Sequence, residues 1–157
     1  MKKKIYIAGC GGMLGEAFYR VFNGEFELKC TDKDVNESWL SFLDFRDLDA
    51  YKKDVEAFKP DYLFHLGAYT DLEFCEQHVD DTYHTNTISA ENAVYIANGL
   101  NIPLLYISTA GIFDGKKNCT TTGICPIHWV CTQGLNIWVK DMWRRMQSVF
   151  SSVAPAG

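Results

Sequence analysis

The sequence predicts an α/β fold: a doubly wound parallel sheet with helices on both faces, incomplete at the C-terminus. Three features carry this expectation. The apolar run Ile5-Tyr6-Ile7-Ala8 turns through glycines into the helical stretch Glu16-Ala17-Phe18-Tyr19-Arg20-Val21-Phe22. Apolar strand-like runs then alternate with amphipathic stretches as far as Ile107. Tyr62-Leu63-Phe64-His65-Leu66-Gly67-Ala68 is apolar almost throughout, as a central strand buried on both faces requires. Strands alternating with helices build a parallel sheet through right-handed crossovers.

The first turn is Gly9-Cys10-Gly11-Gly12-Met13-Leu14-Gly15. Gly9 permits a tight turn, Gly12 lets backbone N–H groups approach a pyrophosphate, and Gly15 lets the helix pack closely on the strand. Met13 and Leu14 open the helix and join the glycines as candidate cofactor-binding residues. The spacing is G-x-x-G-x-x-G rather than G-x-G-x-x-G, which points toward short-chain dehydrogenases; a glycine-rich turn of any α/β protein is the alternative. Phe26 to Thr31 alternates as a second strand and ends at Asp32, whose carboxylate can accept hydrogen bonds from adenosine ribose hydroxyls or serve as a solvated turn residue. An acid there favours NAD by repelling a 2′-phosphate, while Lys29 and Lys33 weigh toward NADP, so both cofactors stay open.

Leu48, Tyr51, Val55 and Phe58 recur at three- and four-residue steps, which predicts an amphipathic helix over Asp47 to Phe58 closed by Pro60. The apolar strand follows, with His65 expected as a hydrogen-bonded core residue. Asp81 to Asn98 reads as another helix with Gly99 as its stop, and Ile102-Pro103-Leu104-Leu105-Tyr106-Ile107 as the next strand.

At 157 residues and a net charge of −5, the chain has room for one domain with a real core. No basic stripe exists beyond Lys2-Lys3-Lys4 and pairs such as Lys52-Lys53, which argues against nucleic acid or an anionic membrane as the main partner. The apolar segment after the N-terminal lysines stops at Gly9, so it reads as a strand rather than a signal peptide, and a cytoplasmic protein is expected. Cys10, Cys30 and Cys75 fall in or beside core elements and are expected to be reduced. Cys119, Cys125, His128 and Cys131 crowd together, but their spacings are not those of common structural zinc sites, and no metal site is expected.

Further motifs bring in a family. Ser108-Thr109-Ala110-Gly111-Ile112-Phe113-Asp114-Gly115 resembles the dTDP-4-dehydrorhamnose reductases, extended short-chain dehydrogenases with a Rossmann-like NAD(P) domain that reduce nucleotide-activated keto-sugars. Gly9, Gly12 and Gly15 match that family's phosphate loop, Asp44-Phe45-Arg46-Asp47 its adenine-side segment, Gly67-Ala68-Tyr69-Thr70 the loop after its fourth strand, and Asn86 its helix asparagine. The likeness spans about residues 4–118, so a cofactor domain over residues 1–118 and an atypical tail over 119–157 are expected. The resemblance implies that Thr109, with Ser108 beside it, hydrogen-bonds the substrate carbonyl. It also implies a tyrosine proton donor and a lysine four residues later, a nucleotide-sugar substrate, and leaves a homodimer open. Ala110 and Gly111 stand where the family carries aspartate and tyrosine.

The tail departs further. Asp141 is its one acidic residue, Trp129, Trp138 and Trp143 lie within it, and Tyr106 is the last tyrosine of the chain, so Tyr-x-x-x-Lys is absent. If each codon is rebuilt from the last base of one residue and the first two of the next, Cys119 to Arg145 can spell YDDWDMPNPLGVYARSKYMGERYVEK. The Trp129–Val130 and Trp138–Val139 junctions must give glycine and Met142–Trp143 must give valine. The tyrosine needs Cys131 to end in T, and the lysine needs Leu135 to end in A. The string resembles the family's missing segment, so a reading-frame shift near residue 118 is expected. The resemblance thus implies a reductase chain that binds NADP or NAD without its catalytic pair. The alternative is a non-catalytic nucleotide-binding module like the regulatory subunit of methionine adenosyltransferase, which resembles the same branch.

Overall fold

The structure, a computed structural model, describes residues 1–107. The expectations for Ser108, Thr109, Ala110 and Gly111, for Cys119, Cys125, His128 and Cys131, and for the shifted reading of the tail lie outside the described residues.

Strand β1 (Lys4–Ala8) is buried from Ile5 onward and forms the centre of a five-stranded sheet. It pairs in parallel with β2 (Glu27–Asp32) on one side and β4 (Tyr62–His65) on the other. The short strand β3 (Leu40–Phe42) extends the sheet beyond β2, and β5 (Leu104–Tyr106) extends it beyond β4. The order β3-β2-β1-β4-β5, all parallel, is that of a doubly wound sheet. Neighbouring residues of β4 face opposite sides, as the two-residue period of a strand demands. Phe64 meets Phe18 and Phe22 of α1 (Met13–Phe22). His65 meets Tyr51 of α2 (Leu48–Phe58) and Ser89 of α5 (Ser89–Leu100). Helices therefore cover both faces.

The predicted amphipathic helix forms with Tyr51 and Val55 buried, and the Asp47 side chain caps it by accepting from the Ala50 N–H at 3.0 Å. It ends at Phe58 because Lys59 adopts a left-handed φ of 55° just before Pro60. Three elements differ from expectation. β3 and α3 (Leu72–Gln77) were not foreseen: three and six residues are too few to show a period. The helix expected from Asp81 starts earlier, as α4 (Val79–Tyr83), and passes through a π turn at His84–Ile88 into α5. Gly99 does not stop it; the helix runs on to Leu100, and Asn101 makes the left-handed cap at φ 53°. Asparagine tolerates that region well enough to replace the usual glycine.

Cys10, Cys30 and Cys75 are free thiols, the first two buried and the third half-buried. Among the described residues no helix is long and apolar enough to cross a membrane, and no group of three or more His, Cys, Asp or Glu could hold a metal ion.

Candidate functional site

The strand order reverses between β1 and β4, and in open parallel sheets ligands bind beyond the carboxyl ends of the strands at that switch point. The turns leaving those two strands meet here. Gly9 sits at φ +77°, and a Cβ on it would lie 2.2 Å from the Gly67 Cα and N, so neither loop tolerates a side chain at the crossing. The Gly9 and Cys10 N–H groups both donate to the Thr31 carbonyl, at 2.9 and 3.0 Å, tying the turn to β2. Gly15 packs against the Cys10 backbone, where a Cβ would approach the carbonyl oxygen to 2.3 Å. Hydrogen bonding with Cys30 and burial push the Cys10 thiol up, so it stays protonated and acts as a small apolar residue.

Gly12 is the N-cap of α1 and offers no side-chain hydrogen bond, so the first-turn N–H groups around Met13 and Leu14 remain available to an anion. A Cβ at Gly12 would meet no atom within 4 Å. Gly12 lines a cleft of about 260 Å³ together with Gly9, Asp32, Lys33, Asp34, Asp44, Phe45, Arg46, Leu66, Gly67, Ala68, Tyr69 and Thr85. Eight of the sequence-predicted residues thus share one cavity: Gly9, Gly12, Asp32, Asp44, Phe45, Gly67, Ala68 and Tyr69.

Asp32 is more than a solvated turn residue. Its Oδ2 accepts the Gly11 N–H at 2.8 Å and its Oδ1 the Asp34 N–H at 3.1 Å, so it fixes the glycine turn while lining the cleft. Of the two lysines that weighed toward NADP, Lys29 is held by Asp54 of α2 at 2.6 Å. Lys33 lines the cleft.

Asn86 does not line the cleft. It grips the loop after β4 instead, its Oδ1 accepting the Tyr69 N–H at 2.7 Å and its Nδ2 donating to the Tyr69 carbonyl at 2.9 Å. The Asp44 carboxylate is occupied by Arg46, with Nη2 at 2.7 Å from Oδ2 and Nε at 2.9 Å from Oδ1, and those bonds hold it below the usual carboxylate range. Arg46 also reaches Asp81 at 2.6 Å, and Asp81 accepts the Tyr69 hydroxyl at 3.1 Å. This chain of contacts joins the loop after β3 to the loop after β4. Phe45 fills the space where Gly67 lacks a side chain; a Cβ there would lie 2.3 Å from its Cζ. Asn92 donates to the Phe45 and Arg46 carbonyls at 3.3 and 3.1 Å. The resemblance took in Arg46 only as part of the adenine-side segment, and sequence reasoning assigned no site role to Asp81 or Asn92, because the bonds Arg46–Asp81 and Asn92–Phe45 join positions 35 and 47 apart.

Beneath the site, His65 is 1% exposed, and burial lowers its pKa to about 4. Ser89 donates its hydroxyl to the Thr85 carbonyl, so His65 Nε2 carries the proton it gives to Ser89 Oγ at 3.0 Å, and Nδ1 accepts from Tyr51 at 3.4 Å. The expected core role of His65 is what the packing shows.

The match to known proteins follows the same elements. The family model described as RmlD substrate binding domain matches residues 2–125. The chain belongs to that family. Among curated RmlD-like relatives, the dTDP-4-dehydrorhamnose reductase of Aggregatibacter actinomycetemcomitans is 28% identical over 138 residues, covering 83% of this chain and 43% of that protein. Methionine adenosyltransferase 2 subunit beta of Xenopus tropicalis is 28% identical over 117 residues, covering 73% of this chain and 35% of that protein. The crystal structure of dTDP-4-dehydrorhamnose reductase from Bacillus anthracis in complex with NADP superposes with a TM-score of 0.66 at 28% identity, covering 75% of this chain and 40% of that one. The chain spans less than half the length of these relatives.

Proposed function

We propose that this chain carries the cofactor-holding part of an NADP- or NAD-dependent reductase acting on a nucleotide-activated keto-sugar, of the dTDP-4-dehydrorhamnose reductase type, and binds the dinucleotide without turning it over. The observation that carries the reading is the glycine turn at the switch point, closed against Gly67 and opening onto a cleft under an uncapped helix N-terminus. Gly9, Gly12, Met13, Leu14 and Gly15 would hold the pyrophosphate through backbone N–H groups and the positive end of α1. Asp32 would accept from the adenosine ribose, and Lys33 stands where it can neutralise a 2′-phosphate. Lys29, the other lysine that weighs toward NADP, is taken up by Asp54, which leaves Asp32 and Lys33 of the cleft lining as the opposed influences on a 2′-phosphate. Asp44, Phe45, Gly67, Ala68 and Tyr69 would line the adenine side, with Asn86 positioning Tyr69.

Thr109, with Ser108 beside it, would hydrogen-bond the substrate carbonyl and orient it. The bound nicotinamide would supply hydride. No tyrosine follows Tyr106, so no phenol in the tail can deliver the proton that the nascent alkoxide needs. The partners of this reading are a nucleotide sugar and a second copy of the chain, in the cytoplasm. Similarity to the methionine adenosyltransferase subunit supports a second reading, a non-catalytic binding module, because such a module needs no catalytic pair.

Reading the encoding DNA from residue 105 onward in all three frames tests the choice. A shifted frame that supplies Tyr-x-x-x-Lys and stays open supports the reductase. A frame that closes at once favours the binding module. Steady NADPH consumption by this chain with dTDP-4-dehydrorhamnose contradicts the loss of turnover.

A further inference from the structure

The helix that begins with α4 changes register at its π turn. The Ser89 N–H donates to the His84 carbonyl five residues back, and the Thr85 carbonyl four residues back accepts the Ser89 hydroxyl instead. A serine side chain that takes a carbonyl from its own helix competes with the α ladder. The same hydroxyl accepts from His65 Nε2 at 3.0 Å, so the buried Ser89 ties the turn to β4. Asn86 lies within the turn, and both of its bonds to Tyr69 start there. Against these bonds stands a cost: Thr82 Oγ1 and Thr85 Oγ1 are closed to solvent and have no hydrogen-bond partner among the described residues. A helical threonine ordinarily returns its hydroxyl to a carbonyl one turn back, and leaving a buried hydroxyl unpaired is unfavourable. A π turn holds one residue more than an α turn, so a return to the α ladder would rotate the chain before it by roughly 100° and re-aim both hydroxyls. α5 is the fixed partner in such a slip, because it buries Ala90, Ala93, Ile96 and Ala97, whereas no residue of α4 is buried.

We propose that this helix is a two-register switch for the loop after β4. In the π register, held by the Ser89 hydroxyl, Asn86 grips Tyr69; in the α register the rotation carries Asn86 away and the loop is released. Tyr69 is part of the cleft wall, so the register decides whether that wall is held in place. The switch belongs to the free chain and stands whatever the cleft binds. Any ligand that packs better on the held loop than on the released one draws the helix toward the π register, by no more than that difference in affinity.

The test is NMR on the whole ligand-free chain and on its Ser89→Ala and Thr82→Val variants. Scalar coupling across the hydrogen bond shows which carbonyl the residue-89 N–H reaches, and hydrogen exchange follows the Tyr69 N–H. In the parent the coupling is expected to the His84 carbonyl carbon. Ser89→Ala removes the bonds that favour the π register. It is expected to move the coupling to Thr85 and to speed exchange at Tyr69 about tenfold relative to Leu63, whose N–H donates to the Pro103 carbonyl at 3.0 Å within the sheet. Thr82→Val removes a hydroxyl that gains a partner only in the α register, so it is expected to slow exchange at Tyr69, which a merely structural role would not do. A coupling that stays at His84 in Ser89→Ala overturns the inference. So does exchange that quickens equally at Tyr69 and Leu63, because the hydroxyl would then only hold the fold. If the alanine chain does not fold, Thr82→Val decides alone: failure to slow exchange at Tyr69 overturns the switch.

Discussion

His65 shows how one buried side chain couples the sheet to pH. Its folded pKa of about 4 lies below the ordinary value of 6.5, so the unfolded chain binds the proton more readily than the folded one. Its contribution is complete above the unfolded value and is lost as pH falls from about 6.5 toward 4, by about 3 kcal/mol in all. Urea unfolding at a series of pH values should show that fall, and His65→Gln should flatten it. Asp44 has the same ordering: Arg46 holds its carboxyl below the ordinary value, so its contribution too is lost as pH falls, but in more acidic solution, below the ordinary carboxylate range. Gly9 sets a second residue-level limit. Alanine there must adopt φ +77° and overlap the Gly67 backbone, so Gly9→Ala is expected to lower unfolding free energy by about 3 kcal/mol. Equal denaturation midpoints for the two chains would show that the loops do not cross as closely as they do here.

At the level of elements, α2 was readable because its apolar residues keep helical spacing over three turns and an N-cap aspartate precedes them. Asp47→Ala removes the bond to Ala50 and should cost about 1 kcal/mol, measured by thermal unfolding. β1 and β4 were readable because fully buried parallel strands are apolar on both sides. β3 was not, since Leu40-Ser41-Phe42 has one buried residue in three and its identity as a strand comes from pairing with Cys30, Thr31 and Asp32. The π turn leaves no local signature: His84 to Ile88 carries neither glycine nor proline. Asn101 rather than Gly99 ends α5 because the apolar face continues through Ile96 and Ala97, which keeps the last turn seated on the core. The cleft followed the same rule. Residues on the glycine turn were legible from spacing, whereas Arg46, Asp81, Asn92 and Thr85 acquire their places only when distant segments meet.

For the molecule as a whole, the proposed function asks of the described residues that they hold a dinucleotide. Backbone donors stand at the helix end, a carboxylate at the end of β2, and a lysine beside it, while the loops after β3 and β4 are locked together through Arg46 and Asp81. Gly12 separates holding from folding, because a Cβ there would meet no atom within 4 Å outside its own chain neighbours and helix, and would stand in the way of an approaching phosphate. Titration of NADPH into this chain and into Gly12→Val, with melting curves of both, therefore tests the central claim most directly. Saturable one-to-one binding by the parent, at least tenfold weaker in a Gly12→Val chain that still unfolds cooperatively within a few degrees of the parent, is the expected result, the small shift being the cost of valine at the N-cap. Failure of the folded parent to saturate, or equal binding by the two chains, would contradict the claim that this cleft holds a dinucleotide.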